Sequence, residues 1–268
     1  MVQIPDDQKL VSLDVISLFT SIPLQLALAC TRTAINKLHY KPALPTDDLM
    51  DLLHLCLNST YFQYNGKHYK QLHGTAMGSP VSVVVAEIVM QNIEEQALAT
   101  YSETLRLWLH YIDDAITAVH KNKKDEFHKH LNKQNNSIQF IKGIKEHGKI
   151  PFLDCLVTCK NNTLRTTVYR KLTHTDRLID QMSYNLTSHK ATTVRTLTRR
   201  AQIVCDSDNS LTNDIKHLNT VLIKNNYNTD FIERNTYIRP NDSSNNSYTT
   251  RATIPYIGGT SETIARIL

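Results

Sequence analysis

The sequence predicts an α+β fold in which an antiparallel sheet carries helices and a mainly helical basic segment follows. Three observations point there. Short strand-like stretches are joined by tight-turn signals at Asn65-Gly66 and Asp113-Asp114, which make hairpins and therefore antiparallel pairs. Helical stretches accompany them: residues 24–39 by a one-sided apolar pattern, 49–57 by a start signal, and 81–101 by length and a Ser-Pro start. Residues 165–200 then hold Arg165, Arg170, Lys171, Arg177, Lys190, Arg195, Arg199 and Arg200 against only Asp176 and Asp180.

Taken in order, residues 10–19 read as a strand running into a turn, with Asp14 the one acidic residue in an otherwise uncharged stretch. A lone carboxylate there either caps the following turn or needs a partner or a metal. Pro23 opens the helix of residues 24–39, whose apolar positions are Leu24, Leu28, Ile35 and Leu38. Thr46-Asp47-Asp48 supplies a start signal for residues 49–57, and a hairpin spans 61–69. Gly74 and Gly78 let backbone approach a ligand closely, and Ser79-Pro80 launches the long helix. A glycine loop before a helix N-terminus suits phosphate or a nucleic-acid backbone, although it equally serves an ordinary loop-to-helix junction.

Apolar residues flank the next pair of carboxylates, in Trp108-Leu109-His110-Tyr111-Ile112-Asp113-Asp114-Ala115-Ile116. Residues 107–112 and 115–119 read as strands, with Asp113-Asp114 as the turn between them. A turn tip exposes both carboxylates for cation binding, and aspartate also favours turns for its own conformational reasons. Beyond it come a helix at 125–132 with Phe127 and Leu131 inward and strands at 138–144, 152–158 and 164–169. Helices follow at 190–205 and 212–225, and an Asn/Ser-rich linker starts near residue 239.

With 268 residues, 41% hydrophobic and 21% charged, the chain can build one large domain or two small ones. Its formal charge of +5 permits a polyanionic partner without demanding one. Five cysteines, an odd number without zinc-ligand spacing, favour a reduced intracellular compartment over a disulfide scaffold. The near-apolar run at 80–90 contains Ser82 and Glu87 and is too short to span a bilayer.

Five segments in this order resemble the reverse transcriptases, and more closely those of Penelope-like retroelements. They are Leu13-Asp14-Val15-Ile16-Ser17-Leu18-Phe19-Thr20-Ser21-Ile22-Pro23, Gly74-Thr75-Ala76-Met77-Gly78-Ser79-Pro80, Tyr111-Ile112-Asp113-Asp114, Pro151-Phe152-Leu153-Asp154, and Val168-Tyr169-Arg170-Lys171-Leu172-Thr173-His174-Thr175-Asp176-Arg177. The resemblance implies a right-hand polymerase palm, a ferredoxin-like antiparallel sheet with helices, over residues 8–165. It implies a basic helical thumb over 166–238 and a linker or connector over 239–268. It also implies that Asp14, Asp113 and Asp114, with the Val15 carbonyl, bind two Mg²⁺ ions (or Mn²⁺) for transfer of dNMP to a primer 3′-hydroxyl. Phe19 resembles the steric gate against a ribose 2′-hydroxyl. Gly78 and Ser79 resemble the loop that supports template and incoming dNTP. Arg195, Arg199 and Arg200 fall in the segment expected to hold RNA template and DNA primer.

Two departures qualify the likeness. Val83 stands where the family has a second proline, and the chain starts close enough to Asp14 that the family's fingers are expected to be missing. Residues 254–268 resemble the connector before a GIY-YIG endonuclease, so that domain is expected to be missing as well. The alternatives are a catalytically inactive retroelement remnant that at most binds nucleic acid, or another two-metal palm enzyme such as a nucleotide cyclase. The expected setting is intracellular and nuclear.

Overall fold

β1 (Gln8–Val15) is the strand on which the first part of the chain is assembled. In this computed structural model, residues 3–40, 42–143, 148–160 and 162–236 are described. The chain divides into two compact units, Met1–Leu153 with Val157–Arg165, and Asp154–Leu156 with the chain from Thr166 onward. The expected linker at 239–268 lies outside the described residues.

In the first unit, β1 is followed by α1 (Leu18–Ser21), α2 (Leu24–Asn36) and α3 (Thr46–Asn58). The hairpin β2 (Tyr61–Tyr64) and β3 (Lys67–Lys70) turns at Asn65 and Gly66, with φ of 48° and 72°. That backbone is what an Asn-Gly turn supplies. α4 (Pro80–Thr100) follows, then the hairpin β4 (Trp108–Tyr111) and β5 (Asp114–His120), α5 (Lys124–Asn132), β6 (Phe140–Lys142) and β7 (Lys149–Phe152). The main sheet has the order β4-β5-β1-β6, and every pairing in it is antiparallel.

Alternation along β1 decides what faces the core. Val11, Leu13 and Val15 point inward against Val85, Val89, Met90 and Ile93 of α4 and Phe127 and Leu131 of α5. Each fully buried side chain of this size contributes about 1.5–3 kcal/mol. Spacing along α4 explains why a valine run forms a helix: Ser82, Val85, Ala86, Val89, Met90, Ile93 and Ala97 make one buried stripe, and Val83 and Val84 stay exposed.

Several expected boundaries change. α2 buries Ala27, Cys30 and Thr31, while Leu38, expected on the buried side, is exposed. α3 begins at Thr46, so Asp47 and Asp48 sit in its first turn, where carboxylates meet the positive end of the helix dipole. The strand expected at 152–158 is two strands, because Leu153 adopts φ 51° and the chain turns at Leu153-Asp154 between β7 and β8 (Cys155–Lys160). β8 pairs onward with β9 (Thr163–Val168) in a three-stranded sheet, and the division between the units falls within this hairpin.

The second unit holds α6 (Thr187–Val204), α7 (Asp208–Lys224) and α8 (Thr229–Thr236), the last unexpected from sequence. Val194, Leu222, Tyr227 and Ile232 form its core, with Leu178 and Phe231 against them. Ser207 caps α7, its hydroxyl oxygen accepting from the Ser210 N–H. All five cysteines are free thiols.

Candidate active site

Antiparallel register brings the first carboxylates together. Asp14 on β1 lies directly opposite Asp114 on β5, so their side chains leave the same face of the sheet. Asp14 is exposed, whereas its neighbours Leu13 and Val15 are buried at 1% and 4%. The Val15 N–H donates to the Asp113 carbonyl at 3.0 Å, tying the strand end to the hairpin tip. Asp113 and Asp114 are both half-buried. Among the described residues no set of three or more His, Cys, Asp or Glu side chains is arranged to hold a metal ion. The structure thus pairs Asp14 with Asp114 and seats Asp113 beside them at the turn, without drawing the three carboxylates into one cluster.

The turn itself differs from expectation. Tyr111 pairs with Asp114, which makes Ile112 and Asp113 the two turn residues and Asp114 the first residue of β5. Such a loop reverses the chain only if its first residue takes positive φ. Ile112 does so at 55°, an uncommon conformation for a β-branched residue.

A buried polar group beneath the turn holds it. The His110 Nε2 lies 3.0 Å from the Ile112 carbonyl oxygen; a carbonyl only accepts, so Nε2 carries the proton and donates. On its other side the His110 Nδ1 is 3.4 Å from Glu94 Oε2 of α4, and the Trp108 Nε1–H donates to that same oxygen at 3.0 Å. Glu87, one more carboxylate of α4, is 3.7 Å from Nε2. Burial pushes the Glu94 carboxyl above its usual range, against the downward pull of Trp108 and His110. Its Oε1 is buried without a hydrogen-bond partner. Sequence reading passed over His110 and Glu94; the only signal was a histidine and a glutamate on otherwise apolar faces.

The second predicted segment meets the first through a residue that sequence reading also missed. Thr75, 1% exposed, donates to the Phe19 carbonyl twice, from its N–H at 2.6 Å and its Oγ1 at 3.1 Å. Gly74 makes that approach possible. A Cβ there would lie 2.5 Å from the Thr20 Cα, and Gly74 has φ of +73°. Gly78, at φ +88°, is needed for backbone conformation alone, since nothing lies within 4 Å of its would-be Cβ. Ser79 is the N-cap of α4 by position but makes no side-chain capping bond. Phe19 is half-buried, its ring packed on the core and its carbonyl turned to Thr75.

The three arginines separate. Arg195 and Arg199 are exposed on α6, a helix with no acidic residue from Thr187 to Val204. Arg200 is half-buried, 3.8 Å from Asp154, and its Nε is buried without a partner. Consecutive helical residues point about 100° apart, so Arg200 leaves the face that Arg195 and Arg199 share.

Residues 1–151 match the reverse transcriptase (RNA-dependent DNA polymerase) family. The chain belongs to the reverse transcriptases. Residues 177–237, which hold α6, α7 and α8, match the animal helix-turn-helix domain. No curated protein matches the chain. Among solved structures it is similar to a telomerase from Candida albicans in complex with a TWJ fragment of telomeric RNA, with TM-score 0.58 and 11% identity, over 87% of this chain and 44% of that one. It is also similar to the Sicinivirus 3Dpol RNA-dependent RNA polymerase, with TM-score 0.54 and 11% identity, over 86% of this chain and 51% of that one. The reverse transcriptase chain therefore spans about half the length of these structures. Its fold is the α+β polymerase palm, with antiparallel sheets and helices, followed by a mainly helical thumb.

Proposed function

We propose that this reverse transcriptase chain is the palm and thumb of an RNA-directed DNA polymerase of the Penelope-like type, adding dNMP units to a primer 3′-hydroxyl. The observation that carries the reading is the pairing of Asp14 with Asp114 beside the Asp113 turn, inside the stretch that matches the family. Two carboxylates opposed on one sheet face repel each other, and an all-oxygen donor set suits hard cations. By donor type these residues suit divalent magnesium, with manganese as a substitute, although their carboxylates are not gathered into one cluster here. Asp14, Asp113, Asp114 and the Val15 carbonyl would hold two ions, which when bound lower the pKa of the primer hydroxyl and neutralise the leaving pyrophosphate.

The chain's own residues supply position. His110 fixes the Ile112 carbonyl and with it the backbone that presents Asp113. Thr75 ties the Gly74–Ser79 loop to the turn after Asp14. Phe19 acts as the gate against a 2′-hydroxyl, Gly78 and Ser79 support template and nucleotide, and Arg195 and Arg199 meet the phosphates of an RNA–DNA duplex. The Candida albicans telomerase structure, which holds a fragment of telomeric RNA, supports RNA as the template class. On this reading residues 8–165 are the palm, 166–238 the thumb and 239–268 a connector, and the protein works in the nucleus.

Primer extension on an RNA template tests the proposal, using the chain alone and joined to a family-type fingers segment. The joined protein is expected to extend a DNA primer with Mg²⁺ and dNTPs, and Asp113→Asn to abolish extension. In the same assay Phe19→Val should raise rNTP use relative to dNTP. Extension that survives Asp113→Asn would refute the site. A well-folded joined protein that binds primer and template but never extends would make the chain an inactive remnant.

A further inference from the structure

The β2–β3 hairpin takes no part in the site described above, yet its composition is unusual for an exposed element. All eight strand residues are exposed, and four of them, Tyr61, Phe62, Tyr64 and Tyr69, are aromatic. Register sets Phe62 opposite Tyr69 and Tyr64 opposite Lys67, so these four side chains share one face. The Phe62 and Tyr69 rings stack with centroids 5.5 Å apart and planes 18° apart, and Tyr64 beside them is 70% exposed. Water is a poor neighbour for such a surface, and a lone two-stranded hairpin is only marginally stable by itself.

Charge narrows what covers it. From Ser59 to Ala86 the chain carries no acidic residue, while Lys67 and Lys70 flank the rings. Exposed rings beside lysines, with no carboxylate near in sequence, complement unpaired nucleotides: bases stack on the rings and phosphates meet the ammonium groups. An apolar protein groove would use the rings and leave the lysines unanswered. A double helix keeps its base faces hidden. We propose that the Phe62–Tyr64–Lys67–Tyr69 face of the β2–β3 hairpin is a binding platform for single-stranded nucleic acid. Bases stack on Tyr64 and on the Phe62–Tyr69 pair, and Lys67 takes a phosphate.

The hairpin leads without a break into the Gly74–Ser79 loop, its ladder extended by the Gln71 N–H donating to the Thr60 carbonyl at 2.9 Å. A strand held on the platform is thereby delivered toward the candidate active site. That this strand is the template rests on the proposed polymerase function; the stacking chemistry does not.

The test is fluorescence anisotropy of a labelled single-stranded RNA on the full chain in EDTA, so that no synthesis contributes. Tyr64→Ala is expected to weaken binding by about five- to tenfold and Tyr64→Phe to retain it. Lys67→Ala is expected to lower the salt slope by about 0.7. A 5-iodouridine in the RNA should crosslink to Tyr64 or Phe62. These two substitutions leave the Phe62–Tyr69 stack in place, so loss of the hairpin fold does not mimic the result. Unchanged affinity in both variants, crosslinks confined to other segments, or no affinity for single-stranded RNA would overturn the platform. A changed oligomeric mass with unchanged RNA affinity would overturn it in favour of a protein-docking face. Tyr64-dependent binding in a protein that never extends a primer would leave the platform standing and sink the polymerase reading alone.

Discussion

Gly74→Ala and Gly78→Ala change the same atom in the same loop and should differ sharply in cost. A methyl group on Gly74 would lie 2.5 Å from the Thr20 Cα, 2.6 Å from its carbonyl oxygen and 2.7 Å from its carbonyl carbon. All three are backbone atoms, so no side-chain rotation relieves the contact. Forcing a methyl into packed structure costs about 1–3 kcal/mol. Holding alanine in left-handed backbone adds about 1–2 kcal/mol, so Gly74→Ala should cost about 2–5 kcal/mol in all. Gly78→Ala meets nothing within 4 Å and carries only the backbone cost, about 1–2 kcal/mol. Against a total stability of about 5–15 kcal/mol the first is severe. Urea unfolding followed by the fluorescence of Trp108, the only tryptophan, reads the first unit directly. Trp108 is half-buried, 6.0 Å from the Phe127 ring and bonded to Glu94, so its emission follows that core. With a urea slope of about 2 kcal/mol/M, the midpoint should fall by about 1–2.5 M for Gly74→Ala and by about 0.5–1 M for Gly78→Ala. Equal losses in the two variants would refute the reasoning, because only the Thr20 contact distinguishes them.

Two further outcomes follow from the site and the thumb. The raised pKa of Glu94 means that the folded chain keeps a proton where the unfolded chain has released it. Stability should therefore be full below about pH 4.5 and fall as pH rises through the raised value. Glu94→Gln should flatten that fall in Trp108-detected unfolding, and an identical pH profile would show that the carboxyl does not titrate there. On α6, Arg195→Ala with Arg199→Ala should lower the salt slope of duplex binding by about 2, one phosphate for each arginine. Arg200→Ala should change stability more than slope, because Arg200 faces Asp154; a slope change as large as the pair's would place Arg200 on the binding face.

The parts of this fold that were legible in the sequence are those written in local periodicity. Short apolar runs located β1 and β5, the Asn65-Gly66 signal located its hairpin with the right backbone, and length with the Ser79-Pro80 start made α4 a helix despite its valines. What failed were positions where one rule outranked another. The turn shifted by one residue from Asp113-Asp114 to Ile112-Asp113, because sequence rules give positive φ to Asn and Gly and never to isoleucine. Leu153 broke a strand in the same way. Thr75 and Phe19 are 56 residues apart, and Glu94 and His110 meet across a helix and a strand; only tertiary packing makes such contacts. The short α8 has too few turns for a periodic signal, and its burial rests on Ile232 packing in the helical core.

Features that lower stability gather in one place in the first unit. Ile112 holds positive φ, and Glu94 keeps a buried oxygen without a partner. Each is a departure that a chain selected for stability alone would lose. The turn at Leu153-Asp154 is the control. It has the same aliphatic-aspartate sequence and nearly the same φ, 51° against 55°, yet the carboxylate it presents has Arg200 within 3.8 Å. At the β4–β5 hairpin, two carboxylates are brought face to face over a backbone conformation that His110 and Glu94 hold in place. On the proposed function, this is the arrangement that would receive divalent cations. Because Leu153 takes the same left-handed backbone before Asp154, the positive φ at Ile112 belongs to the aliphatic-aspartate turn itself, and what sets the β4–β5 hairpin apart is the opposition of Asp14 and Asp114 beside it.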